Sequence, residues 1–110
     1  MNFYIGDSMK ELDIDDKNIE FNDNLFQFIY DSRNQLESKI QVLLEIDQFS
    51  DVLIPLNKVK DIETACLSIL NSNILANYDD LDEAKATIQE ILNLCKEACN
   101  LNIGLISIGD

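Results

Sequence analysis

The chain reads as an α+β domain, about three helices packed on a small sheet, and three observations predict it. Segments with apolar residues at three-and-four spacing alternate with short β-prone runs. Those runs are too brief for more than one small sheet. Apolar residues make up 46% of 110 residues, enough for one core in a single domain spanning 1–110.

Taken in order, Asn2-Phe3-Tyr4-Ile5 is β-prone and stops at Gly6, so a first strand is expected over 2–5. Residues 7–20 are polar and acidic, with Met9, Leu12, Ile14 and Ile19 as anchors. They read as a loop with at most a turn of helix. Asn22 or Asp23 suits a helix N-cap, because a short side-chain oxygen accepts from the open amides of the first turn. Leu25, Phe26, Ile29, Arg33, Leu36, Ile40 and Leu43 then fall near one helical face. A long helix over about 23–44 is expected, with a possible break at Leu36-Glu37-Ser38.

Asp47-Gln48-Phe49-Ser50-Asp51 is a turn by composition, since Asp and Ser side chains bond nearby backbone. Val52-Leu53-Ile54 is a strand ended by Pro55, which lacks a ladder donor but suits the approach to a helix. The second helix runs over about 57–72 with Val59, Ile62, Cys66, Ile69 and Leu70 in a stripe, and Asn71-Ser72-Asn73 closes it. In the third, Asp80 stands three residues before Glu83, a capping-box spacing with Asp in place of Ser or Thr. Its apolar face is Leu81, Ala84, Ile88, Ile91, Leu92, Cys95, Ala98 and Cys99. Residues 102–108 hold Ile103-Gly104-Leu105-Ile106-Ser107-Ile108, apolar on both alternating faces, which suits a strand in the middle of a sheet. The Gly109-Asp110 end is expected to be tied to the core.

Charge narrows the function. Twenty-one acids against seven Lys and one Arg give −13. So few cations neutralise few phosphates, which argues against nucleic-acid binding. With no His, the side chain most often used for acid–base chemistry near neutral pH is missing, and no Ser–His–Asp arrangement can form. The glycines stand singly at 6, 104 and 109, so there is no Gly-rich phosphate loop. No apolar run reaches the roughly 18–20 residues of a membrane span, and the N-terminus has no basic-then-apolar leader. Together with three cysteines in a domain that needs no cross-links, this predicts a cytoplasmic protein with reduced thiols.

Cys66, Cys95 and Cys99 are one ligand short of a structural zinc shell and have no His to complete it, so they read as core thiols. Asp13-Ile14-Asp15-Asp16-Lys17-Asn18 begins like a calcium loop. It has Asn18 where the sharp turn takes Gly, and Asn24 where the bidentate Glu belongs. Paired carboxylates also serve glycosidases, but the chain has no Trp for a sugar platform. No cofactor or metal is expected.

The acids concentrate in two places, Asp13, Asp15, Asp16 and Glu20, and Asp79, Asp80, Asp82 and Glu83. Asp80 and Glu83 suit the positive end of a helix dipole. Asp79 and Asp82 are less well explained that way, and the first cluster has no helix-end role. Repulsion within them costs stability, so they read either as a surface for something outside the fold or simply as a solvated acidic face.

The stretch Leu43-Leu44-Glu45-Ile46-Asp47-Gln48-Phe49-Ser50-Asp51-Val52, followed by two helices and a terminal Ile108-Gly109-Asp110, is similar to small acidic bacterial proteins of the immunity-protein type. These belong to polymorphic or contact-dependent toxin systems. The resemblance covers about residues 43–110, with Ser50 and Gln48 where the pattern has Gly and Pro. It implies a cytoplasmic inhibitor and defines no contact residues. The residues themselves suggest a compatible mechanism, a polyanion covering the positively charged active site of a toxin domain. Asp13, Asp15, Asp16, Glu20, Asp79 and Asp82 are the expected partner-binding residues, with Asp47 and Asp51 behind them because a turn explains those two equally well. The alternatives are an acidic adaptor or complex subunit that docks through an apolar patch, and a small magnesium-dependent enzyme.

Overall fold

The computed structural model describes residues 1–36 and 38–109. Its strands are β1 (Asn2–Ile5), β2 (Asn18–Glu20), β3 (Val52–Ile54) and β4 (Leu105–Ile108). Its helices are α1 (Asp23–Asp31), α2 (Gln41–Leu44), α3 (Leu56–Asn71) and α4 (Leu81–Leu101). The fold is α+β. The strands form one antiparallel sheet in the order β2-β1-β4-β3, so the apolar C-terminal run does lie between two neighbours.

The register sorts the side chains. Asn2 faces Glu20 on one side and Ile108 on the other, Tyr4 faces Asn18 and Ile106, and Ile106 faces Leu53. Because successive side chains alternate, these residues share one side of the sheet. Phe3, Ile5, Ile19, Val52, Ile54, Leu105 and Ser107 share the other. That second side meets the helices and forms the core, with Phe3, Leu105 and Ser107 fully buried. The Ser107 hydroxyl lies 3.4 Å from the Met1 sulfur.

The helices form where the apolar stripes lie. Val59, Ile62, Cys66 and Ile69 of α3 are buried, as are Ala84, Ile88, Ile91, Leu92, Cys95 and Ala98 of α4. Burying each large side chain contributes roughly 1.5–3 kcal/mol. Asn22 caps α1, its Oδ1 accepting from the Leu25 amide at 2.8 Å. Asp80 caps α4, its Oδ1 accepting from the Glu83 amide at 3.0 Å. At the far end Asn102 takes a left-handed φ of 57°, and the Ile103 amide returns to the Ala98 carbonyl at 3.0 Å. That closes a Schellman turn, with Asn in the place Gly usually fills.

Three expectations need correction. Residues 7–20 hold the single turn of helix expected there, a 3-10 turn at Met9–Glu11, but Asn18–Glu20 is an additional strand, not loop. This edge strand carries a single apolar residue, so it forms through its ladder with β1, not from its own propensity. Asn2 Nδ2 adds a diagonal bond to Asn18 Oδ1 at 2.8 Å. The expected 23–44 helix is α1, 3-10 turns at Arg33–Gln35 and Ser38–Ile40, and the short α2. Ser32 and Asn34 are short polar side chains that favour caps and turns over helix interiors. Leu36 is extended, at ψ 160°, and Glu37 of the expected break lies outside the described residues. The last strand starts at Leu105, with 102–104 in the turn, and a 3-10 turn at Ile74–Asn77 was not foreseen.

Candidate functional site

The side of the sheet away from the helices should be wet, yet Tyr4 and Ile106 there are 3% and 0% exposed. The segment after β1 covers them. A Cβ on Gly6 would meet the Ile106 Cδ1 methyl at 2.8 Å, so the chain turns closely across this side of the sheet. The Tyr4 hydroxyl donates to the Ile14 carbonyl at 3.0 Å, and the Gly104 amide donates to Asp7 Oδ1 at 2.8 Å. The acidic segment is therefore fastened over the outer face of β1 and β4.

On that strap, the Asp13 carboxylate accepts from the Asp15 amide at 2.9 Å, and the Asp16 amide donates to the Asp13 carbonyl. This turn holds Asp13, Asp15 and Asp16 exposed, with the Ile14 side chain 70% exposed among them. Glu20 follows on the edge strand β2, also exposed. Lys17 reaches Glu97 of α4 at 3.0 Å. Both partners are solvated, so this bridge contributes little to stability.

At the opposite edge, Asp47 accepts from the Phe49 amide and the Ser50 hydroxyl, each at 2.9 Å. The Phe49 amide first, and the Ser50 hydroxyl second, hold its carboxyl below the usual carboxylate range. Asp51 accepts from the Gly109 amide at 3.1 Å, which ties the chain end to this turn as far as Gly109; Asp110 lies outside the described residues. Gly109 is required there, because a Cβ would meet the Ser50 amide nitrogen at 2.4 Å. The turn that leaves Asp47 and Asp51 bonded leaves Phe49 69% exposed, and Leu53 on β3 is 49% exposed.

Exposed acids thus lie at both edges of the sheet, Glu20 and the strap at one and Asp47 and Asp51 at the other. Exposed Ile14, Leu53 and Phe49 accompany them. Three strand spacings, about 14 Å, separate β2 from β3. Asp79 and Asp82 do not join this surface. Both are exposed at the start of α4, whereas Lys17 ties the strap to Glu97, fifteen residues further along the helix. That separation is about 22 Å of helix axis.

Ile14, expected to anchor residues 7–20, is instead exposed, and the exposure of Phe49 and Leu53 escaped the sequence reading. An aromatic inside the Asp47–Asp51 turn and an isoleucine between Asp13 and Asp15 were the available signals, since neither position has a core to face. The thiols behave mostly as expected. Cys66 and Cys95 are buried, and Cys99 is half-buried. Desolvation raises both buried thiols, Cys95 to about 12. Among the described residues, no three His, Cys, Asp or Glu side chains are grouped to hold a metal ion. No described helix is long and apolar enough to cross a membrane. Comparison of the chain with protein-family models, curated proteins and solved structures found no match.

Proposed function

We propose that this chain is a non-catalytic protein-binding inhibitor, an immunity protein that neutralises a cognate bacterial toxin by covering its positively charged active site. The observation that carries the reading is the pair of exposed acidic sheet edges, Asp13, Asp15, Asp16 and Glu20 at one and Asp47 and Asp51 at the other, with exposed Ile14, Phe49 and Leu53 among them. Stable interfaces combine an apolar centre with a polar rim, and aromatic side chains serve as anchors. A net charge of −13 steers a basic partner from a distance, and close charge pairs then slow its release. Inhibition by coverage needs no reaction from the inhibitor. Asp79 and Asp82 serve the same partner only if it also reaches the start of α4.

The product of the adjoining reading frame tests this directly. Co-expressed with this chain, its basic C-terminal domain is expected to lose its toxicity and to purify in a one-to-one complex. An adjoining product that is neither toxic nor bound overturns the reading. Phe49 and Leu53 favour a second one, an adaptor that docks through an apolar patch. The two part on salt: a steered complex associates far more slowly as salt rises, and an apolar docking surface hardly responds.

A further inference from the structure

A groove of about 460 Å³ runs between α1 and the turn that leads into α4. It is lined by Asn24, Gln27, Phe28 and Asp31 from the helix and by Asn77, Tyr78 and Asp79 from the turn. We propose that this groove takes the guanidinium group of an arginine presented by a protein partner.

Three features of the lining agree on that group. Asp31 and Asp79 come from separate elements to the same groove, and no basic side chain lines it. Phe28 and Tyr78 meet edge to face, ring centres 5.2 Å apart, and give the groove an aromatic wall. Aromatic faces attract cations, and a planar guanidinium stacks on them better than an ammonium does. The amides of Asn24, Gln27 and Asn77 add side-chain carbonyls that accept from the remaining N–H donors. Gln27 already bonds Asp31 Oδ1 at 2.8 Å, which orients that carboxylate.

The molecule carries a small version of the same recognition nearby. Its single arginine, Arg33, lies 4.1 Å over the Tyr30 ring and donates to the Tyr30 carbonyl at 2.8 Å. Arg33 is thus held at the C-terminal end of α1 and is not among the residues lining the groove. The field at the groove is negative. Partial burial, followed by the carboxylates of Glu83, Asp79 and Asp80, raises the Tyr78 hydroxyl above its ordinary value.

The assignment rests on the proposed function for a basic protein partner, and not on which side of the sheet that partner covers. Its test needs no toxin. The intact protein is titrated with an acetylated Gly-Arg-Gly amide, and separately with the Gly-Lys-Gly peptide, while backbone and side-chain amide resonances are followed. The arginine peptide is expected to shift Asn24, Gln27, Asn77 and Tyr78 and to bind at least about fivefold more tightly than the lysine peptide. D31N/D79N is expected to weaken it at least about fivefold, while E90Q, at an exposed position of α4 outside the groove, leaves it unchanged. Equal affinity for the two peptides overturns the assignment. So do shifts spread over Asp13–Asp16, or a D31N/D79N protein that folds and still binds normally. Those failures would leave the co-expression test standing, and a failed co-expression would leave this groove to its own test.

Discussion

The two acidic clusters differ in what the fold makes of them. At the start of α4, Asp80 closes the first turn through the Glu83 amide, so part of the charge there stabilises the helix that carries it. On the strap over the sheet, groups outside the cluster's carboxylates do the fastening: the Ile14 carbonyl takes the Tyr4 hydroxyl, and the Asp7 carboxylate takes the Gly104 amide. Of the cluster's own carboxylates, Asp13 bonds only the local turn through the Asp15 amide. Asp15 and Asp16 stand exposed side by side in the chain, and Glu20 is exposed further along on β2. Charge that repels its neighbours and supports little of the fold is the charge most freely available to a partner.

Substitutions sharpen this contrast, the largest at the strap's anchor. Gly104→Ala would place a Cβ 2.4 Å from the Ile54 carbonyl oxygen and 3.2 Å from Asp7 Oδ1. The first contact is backbone and cannot turn aside, so a loss of about 3 kcal/mol in urea unfolding is expected, with faster hydrogen exchange at residue 104. A wild-type unfolding midpoint for this variant would mean that residue 104 does not pack this closely on the Ile54 carbonyl of β3.

The core responds to pH in the opposite sense from the carboxylates. Unfolded thiols ionise near pH 9, while burial keeps Cys66 and Cys95 protonated well above that. The folded state therefore loses stability as pH rises past 9, by up to about 1.4 kcal/mol per thiol for each pH unit until the folded thiol itself ionises. C66A and C95A variants, measured at pH 8 and pH 10, are expected to show a smaller loss. Cys99, half-buried, is expected to react with a thiol reagent before either of the other two.

Smaller effects separate the clusters themselves. Asp80→Ala is expected to cost about 1 kcal/mol of stability, and Asp82→Asn to stay within about 0.5 kcal/mol of wild type. Equal costs at the two positions would remove the helix-end role given to Asp80. Tyr4→Phe removes the bond to Ile14 and is expected to cost about 1 kcal/mol, with faster proteolysis between residues 7 and 17. D13N/D15N/D16N keeps the turn, because asparagine makes the same local bond, and its thermal midpoint is expected to match or slightly exceed the wild-type value.

How much of this was legible in the sequence followed from where the deciding interactions lie. The α3 and α4 stripes, both caps and the central position of β4 were readable because each depends on residues a few positions apart. Asn18–Glu20 was not, since its pairing partner is sixteen residues away at Asn2–Tyr4. The break after Asp31 was placed late, since Leu36 and Ile40 continue the apolar spacing while Ser32 and Asn34 already favour a turn. For the site, composition pointed to the acids but not to their grouping. Only the register shows Glu20 and the Asp47–Asp51 turn at opposite edges of one sheet, and Asp79 and Asp82 far from the strap. Phe28 and Tyr78, fifty residues apart, meet only in the fold.

The central claim is that the strap's carboxylates serve a basic partner and not the fold. The most direct measurement is the association rate of the adjoining toxin domain with wild type and with D13N/D15N/D16N, each at salt from about 20 to about 500 mM. The account predicts a wild-type rate that falls at least about tenfold over that range, and a variant that associates more slowly at low salt with a much flatter dependence. Two proteins of equal stability with the same rate at every salt concentration would contradict it.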